Sequence, residues 1–146
     1  MPSFLPLLLV ILAGVGVAVQ PPTNAALAKA GGSVWLAALV SFACGVAVLL
    51  TVWATADRTP LASLRGAPWW AWFGGLYGAA FVAALAFATP RLGLAVTLTI
   101  AVASQLVTAL VIDRFGWLGL PQQPLSPARL GGVALVLAGA LLMRRG

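Results

Sequence analysis

The ten charged residues of this chain sit in a few short segments and leave long stretches with none. No Asp, Glu, Lys or Arg occurs from Met1 to Ala28, from Ala30 to Ala56, from Gly66 to Pro90 or from Leu92 to Ile112. Each of these stretches is long enough to cross a hydrocarbon layer about 30 Å thick as an α-helix. Hydrocarbon offers no partner for backbone N–H and C=O groups, so a spanning segment must satisfy them itself, as a helix, or close into a barrel. The polar/apolar alternation of barrel strands is absent, which predicts helices. The remaining composition agrees: 62% of the 146 residues are hydrophobic, more than a soluble domain of this size can hide.

Five spans fit, at about 3–28, 33–54, 69–88, 92–112 and 127–143, in one transmembrane domain over 1–146. Pro, Gly and charge cluster in the connections, as in "ATADRTPLASLRGAP", "TPRLG" and "DRFGWLGLPQQPLSP". In the last of these, Ser126 and Pro127 have the identities of an N-cap and a first helical residue. The N-terminus lacks a basic residue before its apolar run and a small-x-small site with a polar sequence behind it. The first run is therefore expected to be a retained span and not a cleaved signal. Trp35, Trp53, Trp69, Trp70 and Trp117 fall near span ends, where an aromatic belt places them.

The first span raises a question of length. Phe4–Val19 is uninterrupted apolar sequence, but it rises only about 24 Å as a helix. "AVQPPTNAALAK" follows. Ending the helix at Val19 would leave a polar linker containing "NAALAKA", a good helix former. The expectation is a helix that continues through Pro21 and Pro22. Those prolines remove two backbone donors and bend or open the helix there. Freed carbonyls and polar side chains at membrane depth must face protein or a cavity, a feature of transporter sites. The competing possibility is an interfacial loop after a short span.

Three spans carry small or polar residues at helical spacing: Gly16, Gln20, Thr23, Asn24 and Leu27; Ser33, Ala37, Ser41, Cys44 and Gly45; and Thr97, Ala101, Ser104, Thr108 and Ile112 with Gln105 at the margin. Such faces turn inward. Serine and threonine can bond back to their own helix, and small residues permit close packing. The carboxamides of Gln20, Asn24 and Gln105 are more demanding, because an unpaired amide in hydrocarbon costs several kcal/mol. Either interhelical bonds or a solute-filled cavity would satisfy them. In the third span Trp70, Gly74 and Tyr77 share a side, with Gly74/Gly78 and Gly75/Ala79 as small-xxx-small pairs; a cavity floor and plain packing fit equally. The candidate solute-binding residues are Gln20, Asn24, Ser41, Tyr77, Ser104 and Gln105.

The chain has no histidine and one cysteine, Cys44. No metal-ligand cluster, nucleophile with a base or phosphate loop is present, so neither an enzyme, a bound metal nor a cofactor is expected. The net charge of +6 is expected to meet anionic headgroups of the bilayer rather than nucleic acid. If all five spans cross, Arg58, Arg65, Arg114 and Arg129 lie on one side and Lys29, Arg91, Arg144 and Arg145 on the other. This four-four split gives no orientation by the positive-inside rule. A chain inserting both ways can pair with its inverted copy, giving ten spans about an in-plane two-fold axis.

The blocks "QPPTNAALAKAGGSVWLAALVSFACGVAVLL", "PWWAWFGGLYGA", "PRLGLAVTLTIAVASQLVTALVIDRFGWLG" and "RLGGVALVLAGALL" resemble, in order and over nearly the whole chain, the YdcZ family of five-helix bacterial inner-membrane proteins of the drug/metabolite transporter superfamily. The resemblance implies a half-size exporter of small molecules acting as an antiparallel homodimer in the inner membrane. Gln20, Asn24, Ser41, Phe42, Asp113, Phe115 and Gly116 match the family pattern, and Ser104-Gln105 stands where the family has Gly-Gln. Secondary transport of a small organic solute by alternating access leads. A passive channel or small-ion pore from the same inverted dimer, and a non-transporting membrane partner, are the alternatives.

Overall fold

A computed structural model describes residues 4–145. The expected first residue of span one, Ser3, lies outside them. The described residues form five membrane-length helices and no strand: α1 (Phe4–Gly31), α2 (Val34–Val52), α3 (Gly74–Leu92), α4 (Leu94–Phe115) and α5 (Pro127–Arg145). They divide into two compact units, one through Arg91 and one from Leu92 onward.

In the first unit α1 continues through Pro21 and Pro22 and ends only at Gly31. The loop alternative for "AVQPPTNAALAK" is thereby excluded. The prolines leave the carbonyls of Val17 and Ala18 without their helical N–H donors. The helix persists because Ala25–Ala30 are strong helix formers and no breaker follows until the Gly31–Gly32 pair. Ser33 then caps α2: the Leu36 amide donates to its Oγ at 3.2 Å. Past Val52 the helix widens into a single π-turn, Trp53–Asp57, closed by Arg58 in a left-handed conformation. The indole of Trp53 donates to the Thr59 carbonyl at 2.8 Å. Short 3₁₀ turns at Leu61–Gly66 and Trp69–Phe73 lead into α3. A small core forms where α2 and α3 meet, with Ala38, Val82 and Ala83 buried and Phe42 and Phe81 packed against them. A Cβ on Gly78 would stand 3.3 Å from the Phe42 ring, so the absence of a side chain permits the approach there, whereas Gly74 and Gly75 face open space.

The second unit is an α4–α5 pair. Thr97 is buried, and its Oγ1 donates to the Gly93 carbonyl at 2.8 Å. Gly116 ends α4 at φ 63°, where a Cβ would come within 2.7 Å of the Gln122 side chain and 3.1 Å of the Leu120 carbonyl. Only glycine fits that turn without strain. The loop beyond folds back on the helix end: the Gln123 amide donates to the Asp113 carbonyl at 2.8 Å. The Gln122 amide nitrogen donates to the Phe115 carbonyl at 3.3 Å. Ser126 caps α5 through the Arg129 amide at 3.2 Å, with Pro127 as its first residue. Arg129 also pairs with Asp113 at 3.4 Å, tying the ends of α4 and α5. None of α5 is fully buried, which leaves it as surface for lipid or for another chain.

Candidate functional site

Asn24 is the most deeply buried polar residue described, at 1% exposure. It lies one turn beyond Gln20 on α1, so the two amides share a face with Pro21. Across from them stand Phe81, Val82 and Leu85 of α3. Together these six residues line a tight crevice with no room for a water molecule. Pro21 and Asn24 are buried and Gln20 is half-buried.

Within this crevice the Asn24 Nδ2 has no hydrogen-bond partner. A donor in apolar, water-free surroundings that accepts no compensation costs about 1–3 kcal/mol, and native chains leave few such groups. The surroundings explain the orphan. The Pro21 ring is apolar, and Phe81, Val82 and Leu85 offer no side-chain acceptor; Gln20 carries one, its Oε1, but makes no bond with Nδ2. Thr23, one position away, is exposed and lies off the crevice, its Oγ1 donating to the Val19 carbonyl at 2.9 Å. What Nδ2 lacks is an acceptor within reach, which a carbonyl, ether, hydroxyl or carboxylate oxygen of a solute would supply. No acid stands near enough on α1, α2 or α3 to place charge there, since the chain's two carboxylates are Asp57, in the π-turn, and Asp113, in the second unit.

The packed face of α1 is not quite the stripe read from spacing. Pro21, Asn24, Ala25 and Ala28 turn inward, while Gly16, Thr23 and Leu27 are exposed. The rotation follows from bulk: the small side chains on the Pro21–Ala25–Ala28 line let α1 pack closely. On α2, Ala37 is buried and Ser41 half-buried, whereas Cys44 is exposed and Gly45 faces open space. Ser41 lies next to the Phe42 contact but does not line the crevice. Tyr77 is 67% exposed and points away from it. The α3 residues that do form the wall, Phe81, Val82 and Leu85, lie one to two turns beyond Tyr77. They read as ordinary apolar span in sequence, and only the pairing of α3 with α1 distinguishes them.

Ser104 and Gln105 belong to the second unit, and both are exposed. Ser104 donates to the Ala101 carbonyl at 2.8 Å and Thr108 to the Ser104 carbonyl at 2.9 Å, so these hydroxyls are satisfied within α4. Ser104 and Thr108 border a groove of about 590 Å³ whose other wall is Leu137, Ala140 and Leu141 of α5. Gln105 does not line it. Among the described residues no three His, Cys, Asp or Glu side chains cluster as a metal site would need.

Comparison with known proteins bears on what these features serve. The sequence model of the family described as "Putative inner membrane exporter, YdcZ" matches residues 5–142. The "Inner membrane protein YdcZ" of Escherichia coli (strain K12) is 29% identical over 143 residues, covering 97% of this chain and 96% of that protein. No solved structure matches.

Proposed function

Because this chain belongs to the YdcZ family of inner-membrane proteins, we propose that it is a secondary-active exporter of a small organic solute, working by alternating access as an antiparallel homodimer of ten helices. It is a multi-pass membrane transporter, and the Asn24 crevice is the place where its solute is held. The observation that carries the assignment is the buried, unpartnered Asn24 Nδ2 beside Gln20 and two consecutive prolines in a membrane helix. A polar group kept at such cost is retained for use. A crevice closed to water supports a gated site over an open pore. Opening of α3 from α1 would admit the solute, and its acceptor atom would complete the hydrogen bond that Nδ2 lacks.

Neither amide titrates, and no carboxylate lies mid-span, Asp57 and Asp113 standing at span ends, so the solute is neutral or amphipathic rather than a bare cation that needs a buried counter-charge. The even division of basic residues supports insertion in both orientations. Inverted pairing would also cover apolar surface that α5 leaves open.

The test combines labelling and flux. Cys44 is free and exposed, so it is first changed to Ala. Asn24→Cys in that background should react slowly with small water-soluble thiol reagents, and a solute found by thermal-shift screening should protect it once its concentration is raised about tenfold or more to offset the lost amide. Liposomes holding wild-type protein should then show counterflow of that solute. Conduction without exchange would make the protein a channel. Fast labelling by large impermeant reagents, unaffected by solute, would place residue 24 outside any transport site. The same labelling at positions 41, 77, 104 and 105 tests Ser41, Tyr77, Ser104 and Gln105 one by one.

A further inference from the structure

A second cavity in the first unit has a different chemistry. It measures about 430 Å³ and lies between the end of α1 and the end of α3, with Lys29 and Arg91 on its wall. Ala25, Ala28, Ala86 and Pro90 make up much of the rest; their small side chains leave the space open. Lys29 and Arg91 each lie in the last turn of a membrane helix. Since α1 and α3 cross in the same direction when successive spans alternate, both cations stand on one face of the bilayer at headgroup depth.

Neither cation has a protein counter-ion among the described residues. Asp113 pairs with Arg129 in the other unit, and Asp57 takes the Thr59 hydroxyl in the π-turn. Two positive groups lining one cavity repel each other unless an anion joins them. Arg91 is moreover held in place. One of its terminal nitrogens donates to the Phe87 carbonyl, and its guanidinium carbon lies 3.5 Å from the centre of the Phe87 ring. That stacking leaves several of the five guanidinium N–H donors for another acceptor. Compensation of the two helix dipoles accounts for a basic residue at each helix end. It accounts neither for a shared cavity nor for a guanidinium fixed on an aromatic face.

We propose that Lys29 and Arg91 form a phosphate-binding site at the membrane face, independent of the Asn24 crevice. The shared chemistry is a phosphate oxygen group, carried either by an anionic phospholipid or by a free phosphate. Apolar neighbours and headgroup depth suit the phosphodiester of a lipid, with its glycerol against Ala25 and Ala86.

Native mass spectrometry of the full chain, titrated with phosphatidylglycerol or phosphatidylcholine, separates the sources. Wild-type protein should retain phosphatidylglycerol in preference. A basic residue near the membrane surface contributes about 1 kcal/mol to anionic-lipid binding, or about fivefold in affinity. Lys29→Gln and Arg91→Gln should therefore each weaken retention about fivefold and together about thirtyfold, while Arg65→Gln, outside the cavity, should change nothing. The exchange Lys29→Arg with Arg91→Lys keeps both charges and should keep retention within a few-fold of wild type. If phosphatidylglycerol is not preferred but millimolar inorganic phosphate protects Lys29 from an amine reagent, and Arg91→Gln abolishes that protection, the site holds and its anion is the free one. Equal retention by wild type and double variant with no protection by phosphate would overturn the proposal. So would loss in the charge-keeping exchange as large as in the neutral pair, because the positions would then serve packing alone.

Discussion

Replacing Asn24 by Leu should make the protein more stable and stop it transporting. Asn24 is 1% exposed and its Nδ2 lacks a partner in a crevice without room for water. An unsatisfied buried donor costs about 1–3 kcal/mol, and its removal should return that amount. Leucine keeps the branch at Cγ and places an apolar methyl where Nδ2 stands, against Phe81, Val82 and Leu85. A chain of about this size shifts its melting temperature by roughly 2–4 °C per kcal/mol, so Asn24→Leu should melt several degrees higher. Counterflow of the solute should fall at least tenfold, since the variant loses a hydrogen bond worth about 0.5–1.5 kcal/mol and leaves the solute's acceptor unpaired at a further cost of about 1–3 kcal/mol. Asn24→Ala removes the same donor without adding bulk and should lose counterflow equally. Thermal unfolding in detergent and liposome exchange measure the two effects. A variant that melts lower in both substitutions would refute the reasoning, because Nδ2 would already have an acceptor in the assembled protein. Unchanged counterflow would also refute it, by removing the solute from the crevice.

Gln20→Leu should likewise lower solute affinity tenfold or more with the fold kept, as read by thermal-shift titration; unchanged affinity would confine the site to Asn24. Gly116→Ala should lower stability by about 1–3 kcal/mol, because it puts a side chain into a left-handed turn and 2.7 Å from Gln122; thermal unfolding checks this. Asp113→Asn should cost no more than about 1 kcal/mol, since its ion pair with Arg129 is partly exposed on both sides, and solute affinity should stay intact; lost binding with unchanged assembly would overturn its role as a tie between helix ends. Adding two arginines to the connections on one membrane side should lock orientation and abolish homodimer flux, and mixing oppositely locked versions should restore it. Labelling of the wild-type C-terminus from one side only would exclude dual insertion.

The number and kind of spans were legible in the chain itself. Hydrocarbon leaves a backbone almost no choice but the helix, so charge-free stretches of membrane length name their own structure. Local chemistry also settled the cap of α5: Ser126 carries the hydroxyl that a helix start needs, and the Arg129 amide donates to it. The matching cap of α2, with the Leu36 amide donating to Ser33, came from the structure. Even the passage of α1 through Pro21–Pro22 followed from the helix formers behind it. The interior was less legible. A membrane helix is apolar all round, so its pattern says little about which side packs, and α1 turned Pro21 and Ala25 inward where spacing had favoured Gly16 and Thr23. The identities of Gln20 and Asn24 marked them as costly in hydrocarbon, but only the meeting of α1 with α3 showed that Asn24 is enclosed by Phe81, Val82 and Leu85 and left without an acceptor. The cavity shared by Lys29 and Arg91 has the same origin: 62 positions separate them in the chain, and side-chain packing, which no local pattern encodes, brings them to one wall.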